Sequence, residues 1–274
     1  MLPLLFILST PQERVHSLTG NIKHHPAFAS KVLGNQRNLI VYLPPGYETS
    51  KRKYKVLYMN DGQNVMDGFT SFIPNQEWQA DETAERLINE GVIEPLIVVG
   101  VDNGQGSRGD EYLPTAAKLG ESSVGGNAKN YLKMLTTEVM PFINRTYQTK
   151  TGPSNTAMIG SSFGGIVSLY AGLTHPGTFG SVGVLSPSIW WDNREMLRRI
   201  ERLETKPNLK IWLDMGTKEG YEHLLNARKV KHELIRKGWV IGRDLEYLEA
   251  AGARHNERAW SARMEPLLRF FYRK

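Results

Sequence analysis

Asn155-Thr156-Ala157-Met158-Ile159-Gly160-Ser161-Ser162-Phe163-Gly164-Gly165-Ile166 is the stretch whose reading decides the fold. Asn155–Ile159 is a short apolar run that reads as a buried strand. Gly160-Ser161-Ser162-Phe163-Gly164 follows it directly. Ile166, Leu169, Tyr170 and Leu173 then recur at helical spacing until Thr174-His175-Pro176 stops the helix. G-x-S-x-G between a strand and a helix is a sharp turn that lifts its serine clear of the sheet. Small residues flank that serine because a Cβ there would collide with the neighbouring backbone. The alternative is a glycine-rich turn with an inert serine. The order strand, turn, helix argues against it and marks Ser162 as a candidate nucleophile.

Outward from this turn, strands and helices alternate. Upstream, Val32-Leu33 and Arg37–Leu43 flank a hairpin-like Gly34-Asn35-Gln36, and Lys55–Met59 is a further strand closed by Asn60-Asp61-Gly62-Gln63. Helices are expected at about 81–90 and 128–147, with the strand Leu96–Val101 between them. Downstream come strands at 182–185, 210–213 and 245–248, and helices near 194–203, 222–237 and 257–272. An antiparallel start followed by βα alternation predicts the α/β class: one mixed, mostly parallel central sheet with helices on both faces. No repeat, low-complexity tract or linker divides the chain, so a single domain over 1–274 is expected, with 1–30 as an N-terminal extension or edge strands.

In such sheets chemistry gathers at the carboxyl ends of the strands. A serine hydroxyl needs a base to take its proton and a third group to orient that base. Four histidines follow Ser162. His175 ends the helix after the turn, at the wrong end of the sheet, and His223 and His232 fall in a charged helix. His255 follows the last expected strand in a loop, which makes it the candidate base. For the orienting acid, Asp214 and Glu219 both follow the strand 210–213. Asp214 belongs to the strand end, while Glu219 lies past a Gly216-Thr217 turn that can bring it back toward His255, and it is preferred. Backbone donors for a developing oxyanion are expected from Phe163, the residue after the nucleophile, and from Gln63 in the Asp61-Gly62-Gln63-Asn64 loop. Asp61, Arg108, Glu111, Tyr112, Trp190 and Trp191 are candidate substrate-binding residues by their place on the same rim. The competing reading is that Trp190 and Trp191 simply pack, and that Arg108 and Glu111 pair to order a loop.

Bulk composition narrows the partners. The balance is 34 Lys and Arg against 28 Asp and Glu, a net charge of +6, with 23% charged and 40% hydrophobic residues. The basic residues are scattered, as in Lys51-Arg52-Lys53 and Arg198-Arg199, and form no stripe interleaved with aromatics, so nucleic acid is not an expected partner. The absence of cysteine excludes disulfides, thiolate metal sites and a cysteine nucleophile. No metal or organic cofactor is implied. The apolar opening, Leu2–Leu8, reads as a strand or edge segment rather than a signal remnant, since it lacks a basic n-region. That leans toward a cytoplasmic protein and leaves a secreted or periplasmic one open. No run approaches the length of a membrane span.

Taken together, these residues resemble an esterase family of the α/β-hydrolase superfamily that includes enterochelin esterases, esterase D-like enzymes, several feruloyl esterases and the mycolyltransferases. The segments that carry the resemblance are Val41–Tyr47, Val56–Asn64, Gly160–Gly165, Leu185–Ser188, Gly216–Glu219 and His255–Glu257, across roughly residues 37 to 262. It implies the α/β-hydrolase fold and a serine esterase with Ser162, Glu219 and His255 as triad and Gln63 and Phe163 as oxyanion hole. The acid departs from the family, whose members often carry Asp where Glu219 stands. An acyltransferase using the same triad, or a hydrolase fold kept as a non-catalytic binding module, are the other two readings.

Overall fold

The computed structural model describes residues 13–274; the expected edge segment at Leu2–Leu8 lies outside them. Among the described residues, ten strands and eight α-helices largely alternate. The strands are β1 (Asn21–Ser30), β2 (Asn35–Leu43), β3 (Lys55–Asn60), β4 (Leu96–Val101), β5 (Ala116–Leu119), β6 (Ser122–Gly125), β7 (Thr156–Ser161), β8 (Ser181–Leu185), β9 (Lys210–Gly216) and β10 (Leu245–Ala250). The helices are α1 (Ala80–Asn89), α2 (Arg108–Tyr112), α3 (Ala128–Met134), α4 (Met140–Thr146), α5 (Phe163–Thr174), α6 (Trp191–Glu201), α7 (Tyr221–Arg236) and α8 (Glu257–Tyr272).

Eight strands form one sheet in the order β1-β2-β4-β3-β7-β8-β9-β10. The β1/β2 and β2/β4 pairs are antiparallel, and every pair from β4 to β10 is parallel. Central strands of a parallel sheet are covered on both faces and so read as unbroken apolar runs. β4, Leu-Ile-Val-Val-Gly-Val, is buried at every position, and so is β7. On one face of the sheet pack Tyr131 and Leu132 of α3, Ile166 and Leu169 of α5, Ile200 of α6 and Leu234 of α7. On the other pack Ala84 and Leu87 of α1 with Trp260, Met264 and Leu267 of α8. No helix of the described residues is long and apolar enough to cross a membrane.

Three local expectations need correction. The first strand is not Val32-Leu33, which lies in the turn, but the longer β1. β1 carries Pro26 inside an irregularity between His25 and Phe28, and proline is tolerated only on an edge strand or at a bulge. The helix expected over 128–147 is helical throughout but is divided by a π-helical turn, Leu135–Val139. Pro141 follows at once, with no N–H to donate and a ring that crowds the preceding turn, and a wider turn relieves that conflict. The small β5/β6 hairpin is an addition to the expected elements. Its short, largely exposed strands bury too little to leave a pattern.

β3 and β7 are neighbours, yet the chain leaving β3 runs to α1 on one face and the chain leaving β7 runs to α5 on the other. This divergence opens a crevice at their carboxyl ends, the place where sheets of this kind bind ligands.

Candidate active site

Ser162 stands between β7 and α5 with φ 59° and ψ −120°, a backbone conformation that costs a non-glycine residue free energy and that only its surroundings can hold. Its N–H donates to Leu185 O at 3.0 Å, and its carbonyl accepts from Ile166 and Ser188. A Cβ on Gly160 would lie 2.7 Å from the Gly164 backbone, so the strand can approach the helix this closely only without a side chain. The Ser162 hydroxyl is hydrogen-bonded to Ser188 Oγ at 3.2 Å. Ser188 is not among the residues the sequence singles out, although it lies beyond the end of β8 in the segment Leu185–Ser188.

His255 lies in the loop between β10 and α8. Its Nδ1 is 2.6 Å from Glu219 Oε2. Glu219 is buried at the end of the turn after β9, and its other oxygen accepts from Gly216 N–H at 2.8 Å and from Ser186 Oγ at 2.6 Å. Burial opposes the charge on Glu219, but the bonds from His255 and Ser186 outweigh it and hold the carboxyl below its ordinary value. Asp214 has a different environment. It is 0% exposed, Arg263 Nη1 meets its Oδ1 at 2.5 Å, and Trp212 Nε1 donates to its Oδ2 at 2.7 Å.

Phe163 is the first residue of α5, so its N–H has no acceptor within the helix. Gln63 occupies the middle of a single 3₁₀ turn, Gly62–Asn64, at the end of β3. Asp61 enters that turn in the left-handed region with φ 58°, and its N–H donates to Tyr112 Oη at 3.0 Å. Arg108 grips the Asp61 carboxylate with two bonds, Nε at 2.6 Å and Nη2 at 2.8 Å, and Asn103 Nδ2 adds a third at 2.6 Å. The guanidinium also lies over the rings of Tyr112 and Phe163, 5.1 and 5.7 Å from their centroids. Burial alone would lower the Arg108 pKa, but the adjacent Asp61 charge raises it above its ordinary value.

The rim candidates therefore separate. Asp61, Glu111 and Tyr112, expected from their positions to face substrate, are buried. Asp61 is occupied by Arg108 and Asn103, and Tyr112 is sealed beneath the turn. Glu111 accepts from Arg37 Nη1 at 3.0 Å and Nη2 at 3.2 Å in a buried ion pair. Arg108 thus pairs with Asp61 and not with Glu111. Trp191 is also buried, donating from Nε1 to Thr115 O, whereas Trp190 is 39% exposed beside the Phe163 ring. Among the described residues, one group of carboxylates comes close enough to share an ion: Glu77, Asp81 and Glu82, with oxygens within 4.8 Å. Burial pushes Glu77 up to about 8 and raises Asp81 as well.

The family described as "Putative esterase" matches residues 30–271. The chain belongs to this esterase family. It is an esterase of α/β-hydrolase architecture. It is similar to the uncharacterized protein YbbA of Bacillus subtilis, 28% identical over 267 residues that cover 94% of this chain and 98% of the relative. It also resembles the ferri-bacillibactin esterase BesA of Bacillus subtilis, 27% identical over 223 residues, with 74% and 73% covered. The BES protein of Bacillus cereus superposes with a TM-score of 0.73 at 21% identity over 96% of this chain and 99% of that one. At that identity the superposition speaks for the esterase's fold.

Proposed function

We propose that this esterase cleaves carboxylic esters through an acyl-enzyme on Ser162, with His255 as general base, Glu219 as the acid that orients it, and the N–H groups of Phe163 and Gln63 as oxyanion donors. The observation that carries the reading is the 2.6 Å contact between His255 Nδ1 and Glu219 Oε2. A proton held on Nδ1 by the carboxylate leaves Nε2 free to accept one from the Ser162 hydroxyl. Ser162 Oγ then attacks the ester carbonyl, and the alcohol leaves with the proton returned by His255. Water, activated by the same base, releases the acid. In this cycle the Ser162 hydroxyl donates to His255, a bond of the kind that often forms fully only when substrate is bound.

Arg108 supports the donor turn from behind by fixing Asp61, and Trp190 offers an aromatic wall beside the nucleophile. The relatives' names supply the first esters to try: ferri-bacillibactin, from the BesA name, and enterobactin, from the siderophore enterobactin esterase of Emericella nidulans. Labelling with a serine-directed phosphonate, followed by peptide mapping, tests the nucleophile. Acid as the only acyl product, with competing alcohols present, supports hydrolysis; acyl transfer to those alcohols would reassign the enzyme as an acyltransferase.

A further inference from the structure

The oxygen of Glu219 that faces away from His255 is held by an unusually directed hydroxyl. Ser186 Oγ accepts from Trp260 Nε1 at 3.0 Å and from Arg263 Nη1 at 3.1 Å, and lies 2.6 Å from Glu219 Oε1. Indole and guanidinium groups only donate. They occupy the hydroxyl's two acceptor sites, so its one proton is directed to Glu219. A serine hydroxyl is ordinarily a free rotor, and this one has a fixed polarity.

Arg263 is aimed in turn. It is buried, its Nη1 shared between Ser186 Oγ and Asp214 Oδ1, and its Nε bonded to Ala259 O at 2.9 Å. Its Nη2 lies 3.7 Å from Glu219 Oε1. The guanidinium thus sits between both carboxylates. Asp214 also accepts the Ser186 N–H at 3.1 Å, which ties down a residue whose φ of 41° is costly for serine. A buried ion pair of this kind stabilises a fold no better than apolar side chains of similar volume. Its direction toward Glu219 gives it a use.

Resting on the assignment of Glu219 as the acid, we propose that Ser186, Arg263 and Asp214 are positioning residues: Asp214 aims Arg263, Arg263 and Trp260 fix the Ser186 hydroxyl, and Ser186 locks Glu219 with its other oxygen facing His255.

The test is a double-mutant cycle on an activated ester, with Ser186→Ala made in the wild type and in Glu219→Gln. Acting through Glu219, Ser186→Ala should lower kcat about 10- to 100-fold in the wild type, the usual range for a hydrogen bond to a charged group, with KM changed less than about twofold. In Glu219→Gln the same change should cost less than about threefold. Equal losses in both backgrounds, or no loss in the wild type, would overturn the proposal. Arg263→Lys keeps a charge against Asp214 but loses the planar group whose Nη1 is aimed at Ser186 by the Nε bond to Ala259, and should repeat the pattern. Failure of the acid assignment looks different: Glu219→Gln would itself run near the wild-type rate.

Discussion

His255 Nδ1 meets Glu219 Oε2 at 2.6 Å, whereas Asp214, five residues earlier in the chain, spends its carboxylate on Arg263 and Trp212. The two acids differ in environment more than in distance along the chain. Glu219 reaches a histidine that opens to solvent. Asp214 is sealed in the sheet, where burial drives its pKa up against the pull of Arg263. Neutralising Glu219 should therefore fall on the rate, and neutralising Asp214 chiefly on stability with a smaller effect on the rate.

Glu219→Gln should depress kcat on the order of ten-thousandfold, because an amide no longer selects the productive histidine tautomer or stabilises the imidazolium. Its melting temperature should stay close to that of the wild type. Asp214→Asn should act mainly on stability, with a loss of about 3–5 kcal/mol from leaving Arg263 buried without its counter-charge, and its kcat should fall no further than the roughly 10- to 100-fold expected of Ser186→Ala. Thermal melts and kcat for both variants on one ester decide between them. A crippled but stable Asp214→Asn would exchange the roles.

Ser162→Ala should lose about a millionfold in kcat, since it removes the attacking atom while leaving the turn's backbone unchanged. Phosphonate labelling should vanish with it. Retention of more than a few per cent of wild-type turnover would place the nucleophile elsewhere.

What can be read from the chain alone follows from how local each signal is. β7 and α5 leave a continuous apolar run and a helical period within about twenty residues, so the elbow stands out in the sequence by itself. The loop carrying His255 follows from counting strands. β1 hides behind Pro26 and a bulge, and the β5/β6 hairpin behind its exposure. The pairs Arg37–Glu111 and Arg263–Asp214 join residues 74 and 49 positions apart and leave no period in the sequence. For the same reason the partners of Asp61, Glu111 and Tyr112 are not legible: a place after a strand can be read, but which way a side chain turns depends on partners from distant elements.

Stability should fall as the pH rises through the neutral range, and Glu77 should account for part of it. Burial pushes its carboxyl up to about 8, against an ordinary value of 4.5 that the unfolded chain retains. Below 4.5 both states hold the proton and Glu77 makes no difference. Between the two values only the folded state holds it, so stability declines by up to about 1.4 kcal/mol per pH unit and levels off above the folded value. Glu77→Gln carries no titrating proton, so its stability relative to the wild type should climb from about pH 5 to pH 8. Denaturant melts at several pH values check this, and parallel curves for the two proteins would contradict it.

Gly216→Ala should disable catalysis from a position that touches no substrate. Gly216 ends β9 and gives its N–H to Glu219 Oε1. A Cβ there would press into that same oxygen and lie 2.5 Å from Ala253 O, in the loop that carries His255. One neighbour is backbone and the other is a carboxylate held by Ser186, so neither yields cheaply. The methyl group must push Glu219 and the His255 loop apart. Overpacking of this kind costs about 1–3 kcal/mol of stability, which a folded protein survives. The displacement of the acid from the base should cost kcat on the order of 100-fold, as misplacements near 1 Å do. Gly177→Ala is the matched control, since a Cβ at Gly177 meets nothing within 4 Å and should leave both rate and stability unchanged. If Gly216→Ala loses stability but keeps its kcat, the Glu219–His255 contact is not what sets the rate.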